Sequence, residues 1–199
     1  MKLKPNIYLA GGMENETDGV MGGMWREQIQ AHLLCNFDVR VWNPCEFEPD
    51  QLKGLYPSRL PSEMPIRDNV PIDLERVIRT DMATGTRYIA PNFWHEFKLA
   101  PRNSRYYKRG AKYMHRIQDY DLNLVRNKIN YLIVNWTKGT GEGAGTHAEI
   151  EEAHRVKNRH LPIYIVESSK LPAWVEFRAT KIFADFPELY EFLEEELGE

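Results

Sequence analysis

Cysteine is scarce in this chain, and long apolar runs, internal repeats and low-complexity tracts are missing altogether. The two cysteines, Cys35 and Cys45, stand apart from any Cys or His cluster at metal-ligand spacing, and His147, His154 and His160 are not spaced to share a metal. That pattern speaks against zinc-ribbon and disulfide-scaffold proteins and leaves two free thiols, with no metal and no cofactor expected. No stretch approaches the roughly 20 apolar residues that a membrane-spanning helix needs. Near the start, Ile7 to Ala10 is too short for a secretory signal. A cytoplasmic protein without a membrane partner is the expectation. A charge excess of either sign is missing too. The formal net charge is −3 at pH 7, so the total requires no polyanion and nucleic acid is not an expected partner.

What is there is an ordinary globular composition, 42% hydrophobic and 28% charged. The length suits a single α/β domain over residues 1–199 with an insertion at about 46–116. Ile7 to Ala10 reads as a buried strand closed by Gly11 and Gly12. Trp25, Ile29, Leu33 and Leu34 recur with a helical period, and Asp38 to Trp42 alternates like a short strand stopped by Asn43 and Pro44. From Glu46 to about Arg116 the only periodic run is Pro71 to Ala83, which predicts a helix opened by its proline. Between Phe97 and Arg116 lie seven cations and no acid, a pattern that fits a solvated surface or subunit interface as well as a phosphate site. Asp121 to Asn127 reads as a short helix and Tyr131 to Val134 as a buried strand. Gly139 to Gly145 reads as a glycine-rich loop, and Thr146 to about Lys157 as a helix. Pro162 to Val166 and Lys181 to Ala184 are further strands, and Pro187 to Leu197 is an amphipathic helix.

Strands alternating with helices predict a flavodoxin-like or Rossmann-like parallel sheet with helices on both faces and an irregular insertion. Ligands in such sheets bind beyond the carboxyl ends of the strands. Gly11, Gly12 and the 139–145 segment would lie there. Glycines let backbone approach a ligand, and the helix that follows directs N–H groups at it. A Walker loop needs Lys and then Ser or Thr after its last glycine, which Gly145-Thr146-His147 does not supply. A dinucleotide fingerprint fits 139–144 loosely, and a plain strand-to-helix turn fits as well. Glu149, in the first turn of the helix, is favoured by the helix dipole. It also reads as the capping-box partner of an N-cap Thr146. Asp121 reads as an ordinary N-cap, Tyr8 as a buried strand tyrosine and Trp25 as core.

A resemblance adds to these readings. Ile7-Tyr8-Leu9-Ala10-Gly11-Gly12-Met13 is similar to the opening strand and loop of the nucleoside 2-deoxyribosyltransferase superfamily. The Asp121-Leu122 segment before the 131–134 strand resembles that superfamily's aspartate segment. Gly145-Thr146-His147-Ala148-Glu149-Ile150-Glu151-Glu152-Ala153 resembles its G-x-x-E helix with one extra residue before the glutamate. The likeness covers about the first 45 and the last 80 residues and leaves Glu46 to Arg116 out. It implies Glu149 as a nucleophile toward the anomeric carbon, as in retaining glycosidases. Tyr8 would orient that nucleophile, and Asp121 would belong to the sugar and base site. Gly11, Gly12 and Met13 would floor the pocket, Trp25 would stack on a base, and Asn135, Gly145 and His147 would line it. Glu142 stands one residue out of register with the superfamily's usual loop aspartate and is the candidate acid.

The expected function is therefore transfer or hydrolysis at the N-glycosidic bond of a nucleoside or nucleotide through a covalent 2-deoxyribosyl-glutamate. The expected partner is a small nucleoside or nucleotide, and the expected assembly is a homo-oligomer. The alternatives are a non-catalytic nucleotide-binding module of the same fold and an NAD(P)-dependent oxidoreductase.

Overall fold

The computed structural model describes residues 4–12, 21–44, 78–80, 87–89, 101–103, 105–156 and 161–198. In chain order the elements are β1 (Asn6–Gly11), α1 (Met21–Asn36), β2 (Arg40–Trp42), β3 (Ile78–Thr80), β4 (Arg87–Ile89), α2 (Arg105–Asn127) and β5 (Tyr131–Trp136). They continue with α3 (Lys138–Glu142), α4 (Ala144–His154), β6 (Ile163–Glu167), α5 (Ala173–Glu176), β7 (Lys181–Phe183) and α6 (Phe186–Leu197). Two compact units divide the chain, one of residues 1–44 with 120–199 and one of residues 45–119.

The first unit is built on a five-stranded sheet of order β2-β1-β5-β6-β7, all parallel. Counting only those strands, the order is 2-1-3-4-5, the flavodoxin-like arrangement, and its switch point falls between β1 and β5. Strands buried on both faces read as continuous apolar runs, and β1, β5 and β6 do so. On one face Tyr8, Ala10, Leu132, Val134, Trp136, Ile163 and Ile165 pack with Leu124 and Val125 of α2, Ile150 and Ala153 of α4, and Val175 of α5. On the other, Ile7, Leu9, Ile133, Tyr164, Val166 and Phe183 meet Ile29 and Leu33 of α1 and Leu189 and Leu193 of α6. The period of two along each strand thus decides which helices a residue meets, and Tyr8 shares its face with α2 and α4.

Several expectations change. The short helix expected from Asp121 is the last part of the longer α2, so Asp121 is an interior residue and not an N-cap. It stands one turn before Leu124 and Val125 on the inward stripe, and all three are buried. Of the helix expected over Pro71 to Ala83, Ile78–Thr80 is a strand paired antiparallel with Arg87–Ile89. β-branched Ile78 and Thr80 suit that pairing better than a helix, and the rest of that stretch lies outside the described residues. The loop expected at 139–145 is two short helical segments joined at Gly143. Within the long basic stretch, residues 105–116 are helical, and Lys108 and His115 are exposed. At the C-terminus, the helix expected over Pro187 to Leu197 forms as α6 from Phe186, with the Asp185 carboxylate accepting from the Glu188 N–H at 3.0 Å and a proline in the first turn. Among the described residues no helix is long and apolar enough to cross a membrane.

Two glycines separate packing from mere permissiveness. A Cβ on Gly11 would stand 2.7 Å from the Trp25 ring and 3.2 Å from the Asn135 carbonyl oxygen. On Gly145 it would meet nothing within 4 Å. Gly11→Ala is expected to destabilise by about 1–3 kcal/mol through overpacking. Gly145→Ala, inside a helix, is expected to be neutral or stabilising by up to about 1 kcal/mol. Urea melts of both variants check the pair, and equal effects would show that Gly11 is not the tight contact.

Candidate active site

The parallel β1–β5 pairing, with Gly11 opposite Asn135, brings the carboxyl ends of the two central strands side by side. Behind β5 the chain turns at once into helix. Thr137 caps α3, its hydroxyl accepting from the Thr140 N–H at 3.0 Å. Thr140 itself is fully buried. Its hydroxyl donates to the Asn135 carbonyl at 2.9 Å and accepts from the Gly12 N–H at 2.9 Å. One hydroxyl therefore fastens the loop after β1 to the end of β5.

Several donors of the glycine-rich segment are engaged within the turn itself. Gly141 N–H donates to the Thr137 carbonyl and Gly143 N–H to the Thr140 carbonyl, each at 3.1 Å. These bonds form a compact turn, where a phosphate cradle would aim its N–H groups outward. The helix α4 then starts at Ala144 with Gly143 in the cap position. Thr146 is consequently not an N-cap. It is buried on the inward stripe with Ile150 and Ala153, and the capping box expected between Thr146 and Glu149 does not form.

Glu149 is thereby released for another partner. The Tyr8 hydroxyl donates to its Oε1 at 2.7 Å, across 141 residues of chain. Asp121, from α2, completes the group. It is buried and is coupled electrostatically to Glu149 and by hydrogen bonding to Tyr8. Three helix and strand residues distant in sequence thus converge because β1, α2 and α4 share one face of the sheet.

Burial governs the protonation states. It raises Glu149 to about 7, against the lowering effects of the Tyr8 hydrogen bond and the Arg26 charge. Asp121 is raised well above the usual carboxylate range, first by burial and then by the neighbouring Glu149 charge, with Tyr8 and Arg26 opposing. Tyr8 is pushed well above 10 by burial and by both carboxylates, so it stays a neutral phenol and a donor. Both carboxyls are thus raised in proton affinity within one buried site, a feature that clusters at functional sites.

Arg26 was not singled out in the sequence. It is fully buried, its Nη2 donates to the Gly11 carbonyl at 2.7 Å, and its Nε reaches the Leu9 carbonyl at 3.4 Å. A signal existed. Positions 26, 29 and 33 form the inward stripe of α1, and a charged residue on such a stripe must be paired.

Trp25 is half-buried, stacks on Phe186 at 6.0 Å between centroids, and carries the Arg26 guanidinium 4.5 Å from its ring centre. Its described contacts are those of packing. His147 lies two residues before Glu149, about 200° around the helix. It stacks on Trp174 at 5.2 Å and meets the edge of Trp136 at 5.2 Å. Its Nε2 is 3.4 Å from the Gly141 carbonyl. Asn135 contributes its carbonyl to Thr140, and Gly145 is exposed in the first turn of α4. Met13 and the side chain of Glu142 lie outside the described residues. Among the described residues no group of three or more His, Cys, Asp or Glu could hold a metal ion. No family model, curated protein or solved structure matches the chain.

The raised Glu149 value makes a stability prediction. Its folded value of about 7 exceeds its ordinary 4.5, so the fold binds a proton that the unfolded chain releases. Stability from this group is present below about pH 4.5 and is lost as pH rises through about 7. Glu149→Gln keeps an acceptor for Tyr8 and removes the titration. It is expected to leave Tm nearly unchanged at pH 5 and to raise it at pH 8. The gain is on the order of 1 kcal/mol, or about 2–4 °C, after discounting for the surface Glu149 retains. A Tm difference that is the same at both pH values would show that Glu149 is not the raised group.

Proposed function

We propose that this chain acts at the N-glycosidic bond of a nucleoside or nucleotide, with Glu149 as nucleophile. The observation that carries the reading is the 2.7 Å hydrogen bond from Tyr8 to Glu149 beside the buried Asp121, at the switch point of the sheet. The resemblance to nucleoside 2-deoxyribosyltransferases, whose nucleophile, tyrosine and aspartate align with these three residues, points the same way.

The chemistry assigns each group a task. The ionised Glu149 oxygen bonds to the anomeric carbon as the C1′–N bond breaks, and the electron pair stays on the leaving nitrogen. Asp121, whose proton affinity is raised by burial, is the acid that gives that nitrogen its proton. Tyr8 fixes the orientation of the nucleophile and stabilises its ionised form by donating to it. The glycosyl-glutamate is then attacked by water, giving hydrolysis, or by a second base, giving transfer, and the incoming group's proton returns to Asp121. This reaction needs no cofactor. A homo-oligomer belongs to the same proposal, since members of the superfamily often share sites between subunits, and sedimentation at micromolar concentration tests it.

The deciding experiment is incubation with deoxyadenosine, deoxycytidine and their 5′-monophosphates, with and without a second free base, followed by chromatography. Release of a base, or appearance of a swapped nucleoside, is expected. Glu149→Ala is expected to abolish it while circular dichroism stays native. Tyr8→Phe is expected to lower kcat by about 10–100-fold, the worth of one hydrogen bond to a charged group. The rate should rise through about pH 7 as Glu149 ionises. Full activity in Glu149→Ala would end this reading.

A further inference from the structure

We propose that Glu151 and Glu152 are positioning residues of this site: paired with Arg178 and Arg126, they hold α4 from both flanks and fix the roll of the helix that carries Glu149. The inference deepens the reading above and rests on it for its catalytic meaning, although its geometry stands alone.

The helix itself creates the need. The residues that α4 buries against the sheet are Thr146, Ile150 and Ala153. Only Ile150 among them is large, and small side chains make low ridges that key a helix weakly about its own axis. A flank lies to either side of this stripe. At about 100° per residue, Glu149 and Glu152 share one flank, and His147 and Glu151 share the other. A roll of α4 in either direction would carry Glu149 along its arc and lengthen the 2.7 Å bond from Tyr8.

Each flank is tied by an ion pair. On the Glu149 flank, the Arg126 Nε of α2 donates to the Glu152 Oε1 at 2.5 Å. Within one turn of Glu149, this tie joins its helix to the helix of Asp121. On the other flank, the Arg178 Nη2 lies 2.7 Å from the Glu151 Oε2, and the Arg155 Nε donates to the Glu151 Oε1 at 2.8 Å. Arg178 is itself held. Its Nη1 donates to the Trp174 carbonyl at 2.8 Å, and its guanidinium lies 4.7 Å from the Trp174 ring centre. His147 stacks on Trp174 as well, so both residues of this flank lean on α5 and the turn after it. Fully exposed ion pairs contribute little, but three of these four side chains are largely covered. Glu152 keeps 18% of its side-chain surface, Glu151 26% and Arg178 23%, against 55% for Arg126. Charge-assisted bonds in that setting are directional as well as attractive, and ties on opposite flanks leave the helix one roll.

The test is ring-carbon NMR of the whole protein, labelled at tyrosine, at pH 8, with the Tyr8 signal assigned by Tyr8→Phe. The Tyr8 Cζ shift reports the bond to Glu149, and Glu149→Ala gives its position without that bond. Cutting both ties, Arg126→Ala with Arg178→Ala, is expected to move the signal at least halfway to that position. Arg126→Lys with Arg178→Lys keeps both charges and is expected to hold the signal near wild type. In the reaction, the double alanine variant is expected to lose about 10-fold or more in kcat at little changed KM, the scale of a small misplacement of a reacting group. A wild-type Tyr8 signal in the folded double alanine variant, or an equal shift in the lysine variant, would overturn the proposal. Should the double alanine variant fail to fold, the two single alanine variants decide, a signal moved in either supporting the proposal and one unmoved in both overturning it. Because this readout needs no substrate, a moved signal in a protein without glycosidic activity would keep the role of the two glutamates and reject the reaction, whereas activity with an unmoved signal would do the reverse.

Discussion

Everything in the site depends on taking two carboxyl groups out of water beside one phenol. An unpaired buried carboxylate is costly enough that proteins neutralise it or surround it with donors. Here Glu149 has the Tyr8 hydroxyl at 2.7 Å, and burial raises the proton affinity of Asp121 as well. The rest of the fold can be read as the means of holding that arrangement. A parallel sheet puts Tyr8 on one face, two helices on that face bring the carboxyls to it, and Thr140 keeps the two strand ends from drifting apart.

Burial and ionisation are therefore opposed at Glu149. The surroundings that raise its proton affinity to about 7 also make the ionised fold less stable than an apolar or amide replacement would. Natural sequences retain such a cost where the group does something. A carboxyl raised to about 7 is partly ionised near neutrality, and Asp121 beside it is raised as well.

Much of this was legible in the sequence, for physical reasons. Apolar runs in β1, β5 and β6 announce strands buried on both faces, and their alternation with helices announces the parallel sheet. Tyr8, Asp121 and Glu149 were visible through the resemblance, and from the residues alone each had an ordinary reading. What the sequence concealed was context. Thr146 and Glu149 have capping-box spacing, but Gly143 takes the cap, and that frees the glutamate. Asp121 looks like a helix start because the basic stretch before it lacks an obvious apolar period, yet the helix runs on from Arg105. Arg26 and Asp121 left the same trace, a charge on a stripe that the helical period marks as inward, and that trace is easily overlooked beside glycine motifs. The 139–145 glycines looked like a ligand loop because composition does not reveal whether backbone donors are already engaged.

The outermost strands of the sheet, β2 and β7, have three residues each. A sheet edge invites another chain to add a strand, and very short edges blunt that invitation. On β7, Lys181 adds a second deterrent, its ammonium lying 3.9 Å from the Phe192 ring centre at the rim of the sheet. Among the described residues, β-augmentation of this sheet thus has little to grip on either side. The five-stranded sheet therefore offers an added strand, among those residues, no more than three residues of ladder at either outer edge.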